Sequence, residues 1–324
     1  MNTTGALYTS RQKTTTSEAT MKSVLKNIFS VTLATLAFGI CAGTAQADDA
    51  NLKPFVLASK SAGNVAEKVT AAKTALQANG FEVIGSYSPY ADTTIIVVTN
   101  DEMKNTAAKS EHGGFGAAQR ISVTKVKDEV QIAYTNPTYM ANGYRLSGDL
   151  PNTAAKLQAA LGKGEEFGAN GLSAAKLRKF HYMIGMEYFD EPSLLAEHGS
   201  HEEALKIVEV NLAAGKGGVS KVYRVDVPGK KESVFGVAMK GADKYMDDQY
   251  IMSVIDFKDV KSAAHLPYEI LVTGNKVIAL YARFRIALDF PDLKMVGQNS
   301  FMKIMESPEA IRKALAVAAG ATEP

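Results

Sequence analysis

Tyr281, Arg283 and Arg285 fall two residues apart in the run Val277 to Ile286, interleaved with Leu280, Ala282, Phe284 and Ile286. Extended as a β-strand, that run turns these apolar residues, with Ile278, to one face and the tyrosine and both arginines to the other. Two guanidinium forks beside a phenol hold a carboxylate or another small anion through bidentate hydrogen bonds. His265 and Tyr268 join this face if the preceding loop folds over it, and Tyr134 holds the place of Tyr281 in an earlier, similar stretch. Together these residues are the candidate ligand site. The competing reading is a solvated face, or one packed against a sister unit with the arginine stems covering apolar surface.

A second chemistry is metal binding. His112, His181, His198, His201 and His265 occur with Met183, Met186, Met246 and Met252, and imidazole with thioether suits Cu(I). On a strand from His181 to Tyr188, His181 and Met183 share a face with Gly185 while Met186 points away. His198 and His201 stand beside Glu197, Glu202 and Glu203, where a capped, solvated turn explains the composition equally well. His181, Met183, His198 and His201 are therefore the set for a copper- or other metal-handling alternative, and no cofactor is expected.

An enzyme ranks third. Gly215-Lys216 lacks the surrounding pattern of a phosphate-binding loop. His112-Gly113-Gly114-Phe115 resembles an oxyanion loop, but no Gly-x-Ser-x-Gly nucleophile accompanies it, so it reads as a flexible turn. Asp247, Asp248, Asp256 and Asp259 flank a long stretch from Gly241 to His265 and read as solvated acidic loop residues.

Residues 21–47 have the three parts of a secretory signal: Lys22 and Lys26, the uncharged run Ile28 to Ile40, and Ala45-Gln46-Ala47 before Asp48. Cleavage between Ala47 and Asp48 predicts a periplasmic protein without a membrane anchor. Residues 1–20 are an extension that carries no fold. The single cysteine, Cys41, is lost with the signal, so stability must come from a large core and not from disulfides. With 36 Lys and Arg against 34 Asp and Glu, no tryptophan and no basic block, the chain lacks the charge footprint of a nucleic-acid binder.

One order of strand and helix signals occurs twice. In the first pass Phe55 to Ala58 is a strand. Val65, Val69, Ala72 and Leu76 form a helical stripe closed by Gly80, Phe81 to Ser88 and Thr94 to Thr99 are strands, and Asp101 to Ser110 is a helix. Ile121 to Val126 and Val130 to Thr135 form a hairpin, and Asn152 to Leu161 is a helix. In the second, His181 to Tyr188 is a strand and Ser200 with Glu203 makes a capping box. Val222 to Val227 and Ser233 to Ala238 are strands, Glu269 to Thr273 pairs with Val277 to Ile286, and Pro308 to Ala318 is a helix. Val69, Ala72 and Leu76 correspond to Leu205, Val208 and Leu212 at a spacing of 136, Val83 and Pro89 to Val222 and Pro228 at 139, and Val130 and Tyr134 to Val277 and Tyr281 at 147. Drift confined to loops is what a duplication that accepted insertions predicts.

The run Ala78-Asn79-Gly80-Phe81-Glu82-Val83, the strand Thr94 to Val98, and Ile121-Ser122-Val123 before Tyr134-Thr135-Asn136-Pro137 resemble the bacterial domain of unknown function 302. Residues 52–150 carry most of the resemblance, and Leu266 to Val272 carries a looser one. It implies small two-layer α/β domains and brings no activity.

The expected fold is α+β, as two tandem two-layer sandwich domains, each a mainly antiparallel sheet with helices on one face, packed as an internal pseudo-dimer. The divisions are 1–47 for extension and signal, 48–162 for the first unit, 163–172 for a linker and 173–324 for the second unit. The expected role is a non-enzymatic periplasmic binding or accessory module that takes a small anion or a protein partner in the groove between units.

Overall fold

The computed structural model describes residues 51–322. The signal and its cleavage point at Ala47 and Asp48 lie outside them. The described chain is α+β, with two antiparallel sheets. Among the described residues no helix is long and apolar enough to cross a membrane.

The first half runs β1 (Phe55–Ser61), α1 (Val65–Ala78), β2 (Glu82–Tyr87), β3 (Thr93–Thr99), α2 (Asp101–Ala108), β4 (Gln119–Val126), β5 (Glu129–Thr135), α3 (Pro137–Gly143) and α4 (Pro151–Leu161). Next come β6 (Glu166–Phe167) and α5 (Ala174–Leu177). The second half is β7 (Ser193–Glu197), α6 (His201–Ala213), β8 (Val219–Asp226), β9 (Glu232–Met239), α7 (Asp248–Ile255), β10 (Tyr268–Thr273), β11 (Lys276–Ala279), α8 (Ala282–Asp289) and α9 (Ser307–Ala319).

Local chemistry starts the helices where the side chains indicate. Asn64, Asn100, Asn136, Ser200 and Asp247 each accept a backbone N–H of the first turn of α1, α2, α3, α6 and α7. At α6 Ser200 accepts from Glu203 N at 3.1 Å as the sequence announces, and the Glu203 carboxylate reaches back to the Gly199 N–H at 2.9 Å, one residue before the cap. Gly80 takes a φ of +79° just past α1, a conformation that its missing Cβ allows.

The first sheet has the order β2-β3-β4-β5-β1-β6 and the second β7-β11-β10-β9-β8. Read from the other edge, the second order is β8-β9-β10-β11-β7, element for element that of the first apart from β6. The irregularities coincide too. β1 shifts register between Leu57 and Ser59 against β5, and β7 shifts opposite Val277 and Ile278 of β11. β2 bulges between Val83 and Gly85, and β8 between Lys221 and Tyr223. Val222 thus occupies the bulge position of Ile84, so the correspondence of Val83 is with Lys221.

The edge strands β2 and β8 lie side by side. A Cβ on Gly85 would come within 2.6 Å of Val222 O, so this position needs glycine for the two backbones to approach. The tight turn Gly113–Gly116 packs on β9 and β10, and the turn Ala263–His265 packs on β3, β4 and β5. Side chains of both sheets belong to one hydrophobic core.

Four sequence expectations are corrected. His181 to Tyr188 is a series of turns, and the strand of that half is β7, shorter and further on. The glycine-rich linker contributes β6, which pairs Phe167 with Phe55 of β1. The stretch from Gly241 to His265 contains α7. The run Val277 to Ile286 is a strand only to Ala279, then turns at Tyr281 into α8. A helix enclosed on every side carries no 3.6-residue polarity pattern, and in α8 Phe284, Arg285, Ile286, Ala287, Leu288 and Asp289 are all buried, which left accidental alternation as the only periodic signal.

Phe284 is nonetheless core, its ring 6.0 Å from that of Phe180 and 6.4 Å from that of Phe189. Phe284→Asp places an unpaired charge among these rings and is expected to abolish the cooperative thermal transition. A variant that melts at the wild-type temperature would remove α8 from the core.

Candidate functional site

Of the residues selected from the sequence, the fold brings together His265, Tyr268 and Arg285, and places them in the solid interior. Arg285 donates from Nη1 to Pro267 O at 2.9 Å and from Nη2 to His265 O at 2.7 Å, with its guanidinium 5.0 Å from the centre of the Tyr268 ring. His265 Nδ1 lies 2.6 Å from Asp289 Oδ2 and its Nε2 lies 3.2 Å from Tyr268 OH. Burial lowers the pKa of this imidazole, while Asp289 pulls the other way. As a neutral ring it donates through Nδ1 to the carboxylate and accepts the Tyr268 hydroxyl proton at Nε2.

Glu269 of β10 occupies the middle of this cluster. Its Oε2 stands 3.8 Å from Arg285 Nη1 and 3.6 Å from Nη1 of Arg120, which comes from β4 of the other sheet, and its Oε1 accepts from Tyr223 OH at 2.7 Å. Two arginines thus face two carboxylates, Glu269 and Asp289, and no net positive charge is left over for an anion. Arg120 Nε and Nη1, Arg285 Nε and Tyr144 OH are buried without a hydrogen-bond partner, so the network is loosely satisfied. It is a fastening between sheets, and Arg120, Glu269 and Tyr223 were not singled out in the sequence because their neighbours come from different strands.

The remaining candidates bond elsewhere. Arg283 forms a two-pronged pair with Glu187 and lies over the Tyr281 ring at 5.4 Å. The expected pairing of both arginines on one strand face fails because consecutive helical positions diverge by about 100° per residue. Tyr134, on β5, donates to Gly162 O at 3.3 Å, and burial pushes its pKa up to about 12. Tyr281 opens α8 beyond the end of β11, so it is not the counterpart of Tyr134. His181 Nδ1 faces Met183 O at 3.0 Å, His198 Nε2 faces Ala319 O at 2.9 Å, and His201 Nδ1 faces Gly274 O at 2.8 Å, each ring turned to a backbone carbonyl. Among the described residues no three of His, Cys, Asp or Glu are grouped to hold a metal ion.

The His112 to Phe115 turn is a buried wedge and not a flexible loop. Gly114 donates its N–H to Glu232 Oε1 at 2.6 Å, and a Cβ there would come within 2.5 Å of Leu271 Cδ1. Beside it, Lys230 Nζ donates to Ser110 O at 2.6 Å and lies 3.3 Å from Glu232 Oε2. The start of β9 is therefore closed against the loop after α2.

The corresponding place in the other half is open. Thr93 begins β3 and pairs with Thr124 as Glu232 begins β9 and pairs with Thr273. Where the second half carries Lys230 and Glu232, the first carries the shorter side chains of Ala91 and Thr93. A cleft of about 420 Å³ results, lined from the first sheet by Tyr90, Thr93 and Lys125 and from the other side by Met252, Asp256 and Lys261. Gln131 of β5 holds the far wall, donating to Asp259 O at 2.8 Å and accepting from Lys261 N at 3.0 Å.

Asp256 is the buried carboxylate that lines this cleft. Its Oδ1 accepts from Ser262 N at 2.8 Å, and its Oδ2 is buried with no partner. Burial pushes its pKa up to about 6, against the Ser262 N–H and the charges of Lys261 and Lys258, which pull it down. At the other end of α7, Asp248 is buried more deeply, and burial lifts it to about 8. Both aspartates were expected to be solvated. They are not: both sit on or next to the helix α7, where Asp248 accepts from Met239 N and Tyr87 OH and Asp256 accepts from Ser262 N. The usable sequence signal was the contrast of Ala91 and Thr93 with Lys230 and Glu232, legible once the two halves are aligned.

Comparison with known proteins yields no match among family models, curated proteins or solved structures.

Proposed function

We propose that the chain is an exported, non-enzymatic binding module made of two copies of one α+β unit, each sheet covered by helices on one face and the pair packed about an approximate two-fold axis. The shared strand order and shared bulges support duplication. Packing of like on like supports the axis: β2 lies beside β8, and Tyr139 of α3 donates to Leu288 O of α8 at 2.7 Å. Arg120 and Glu269, which face each other in the interior, occupy matching register positions opposite Val97 of β3 and Gly236 of β9. Small two-layer α/β domains are also what the resemblance of residues 52–150 to the domain of unknown function 302 implies.

In this reading a small ligand with an anionic group binds between the units, met by Lys125 and Lys261 and not by Arg283 and Arg285. The observation that carries it is the unequal treatment of two corresponding places. One is closed by Lys230 and Glu232, and the other is left open over the buried Asp256 carboxylate, whose Oδ2 has no partner.

The exchange Ala91→Lys with Thr93→Glu copies the closed side onto the open one. In a thermal-shift screen of small carboxylates and phosphates, wild type is expected to rise by several degrees with its ligand, since saturation at a hundred times Kd adds about 2.7 kcal/mol. The exchanged variant should melt normally and show no response. Equal shifts in both proteins, or no shift of wild type with any anion, overturns the reading.

A further inference from the structure

We infer that the cleft between the Tyr90–Thr93 turn and α7 takes a small molecule that carries both a protonated amine and a carboxylate. The inference rests on the binding reading above and narrows its ligand class.

The closed side supplies the template for the amine. There an alkyl chain ending in an ammonium group, that of Lys230, runs from the strand start to the loop after α2 and is held by the Ser110 carbonyl and the Glu232 carboxylate. The open side is lined by Phe257 and Asp256 but lacks the lysine. Phe257 stands two residues past α7 as Ser110 stands two residues past α2, and among the described residues no donor reaches Phe257 O. A carboxylate is present as well, contributed by Asp256 from the α7 wall where Glu232 comes from the strand wall. Asp256 is 8% exposed and its Oδ2 is unpartnered, so the site is short of one hydrogen-bond donor. With Ala91 in the place of Lys230, that donor must come from a separate molecule.

A simple amine is not sufficient, because two lysines, Lys125 and Lys261, also line the cleft. Lys125 is exposed at the rim, and among the described residues no carboxylate pairs with it. Lys261 spends its ammonium on Asp256 O at 2.9 Å, leaving further donor capacity. Two lysines and two aspartates, Asp92 and Asp256, line one space, which matches a ligand with one charge of each sign and repels a polyamine or a dianion.

The probe is 5-aminovalerate, whose chain matches a lysine stem, compared by calorimetric titration with N-acetyl-5-aminovalerate, 5-aminovaleramide and valerate. The zwitterion is expected to bind at least tenfold more tightly than each of the three. Asp256→Asn should lower its affinity at least tenfold and leave valerate unchanged, whereas Lys125→Ala should weaken zwitterion and valerate alike. Both variants are to be shown folded by a single cooperative melting transition. If valerate or another anion binds as well as the zwitterion and is lost in the Ala91→Lys, Thr93→Glu protein, the amine requirement is wrong while the binding reading stands. If the zwitterion binds and the exchanged protein binds it equally, both are wrong.

Discussion

Asp248→Asn is expected to stabilise the protein at neutral and alkaline pH and to flatten its stability between pH 4 and pH 8. Asp248 is 2% exposed; its Oδ2 accepts from Met239 N at 3.1 Å and from Tyr87 OH at 3.4 Å, and its Oδ1 has no partner. Burial is the main cause that raises its pKa from 3.8 to about 8, with repulsion from Asp247 adding and the Met239 N–H, Tyr87 and Arg285 opposing. Between those two values the folded protein holds a proton that the unfolded chain has released. Stability therefore falls as pH rises from 3.8 to about 8 and levels off above, where both states are ionised. At about 1.4 kcal/mol for each pKa unit, the fall amounts to something on the order of 5 kcal/mol. Asparagine keeps an acceptor for Met239 and never ionises, so this dependence should disappear. Asp256, raised to about 6, keeps a smaller one below that pH. Urea unfolding at pH 5, 7 and 9 measures it, and parallel pH profiles for wild type and Asp248→Asn would show that the buried carboxyl is not the source.

The second large effect concerns Glu269. Glu269→Gln preserves shape and an acceptor for Tyr223 OH but removes the charge that stands between Arg120 and Arg285. Two buried guanidinium groups would then share Asp289 alone, and removing one partner of a buried ionic group costs about 3–5 kcal/mol. Adding Arg120→Met restores the charge balance between Arg285 and Asp289 and should recover part of the loss. Such coupling appears as non-additivity in a double-mutant cycle. A Glu269→Gln protein that unfolds at the wild-type denaturant midpoint would mean that the cluster does not fasten the sheets.

The same two residues mark where sequence reasoning stopped. Arg120 and Glu269 are distant in the chain, and nothing in their immediate neighbours distinguishes them from arginines and glutamates on a wet strand face. They become a pair because β4 and β10 belong to sheets whose turns, Gly113–Gly116 and Ala263–His265, each pack on the opposite sheet. Arg285 was selected as an anion grip for its alternation with apolar residues, and it stands instead on a buried helix that no periodicity revealed, bonded to Pro267 O and His265 O.

Local physics was readable where it is local. Helix starts follow from Asn64, Asn100 and Ser200, whose side chains satisfy N–H groups two or three residues away, and the alternating β-branched runs of β3 and β4 declare strands without reference to anything else. The order of those elements repeats along the chain, so the strand order common to the two sheets was already implicit in it. Position in the third dimension was not. Whether Asp256 is wet or buried, whether Lys230 is free or anchored on Ser110, and whether Ala91 leaves a gap depend on which surfaces the sheets turn toward each other. Desolvation and ion pairing act over a few ångströms of space regardless of separation along the chain, and only the folded arrangement sets those distances.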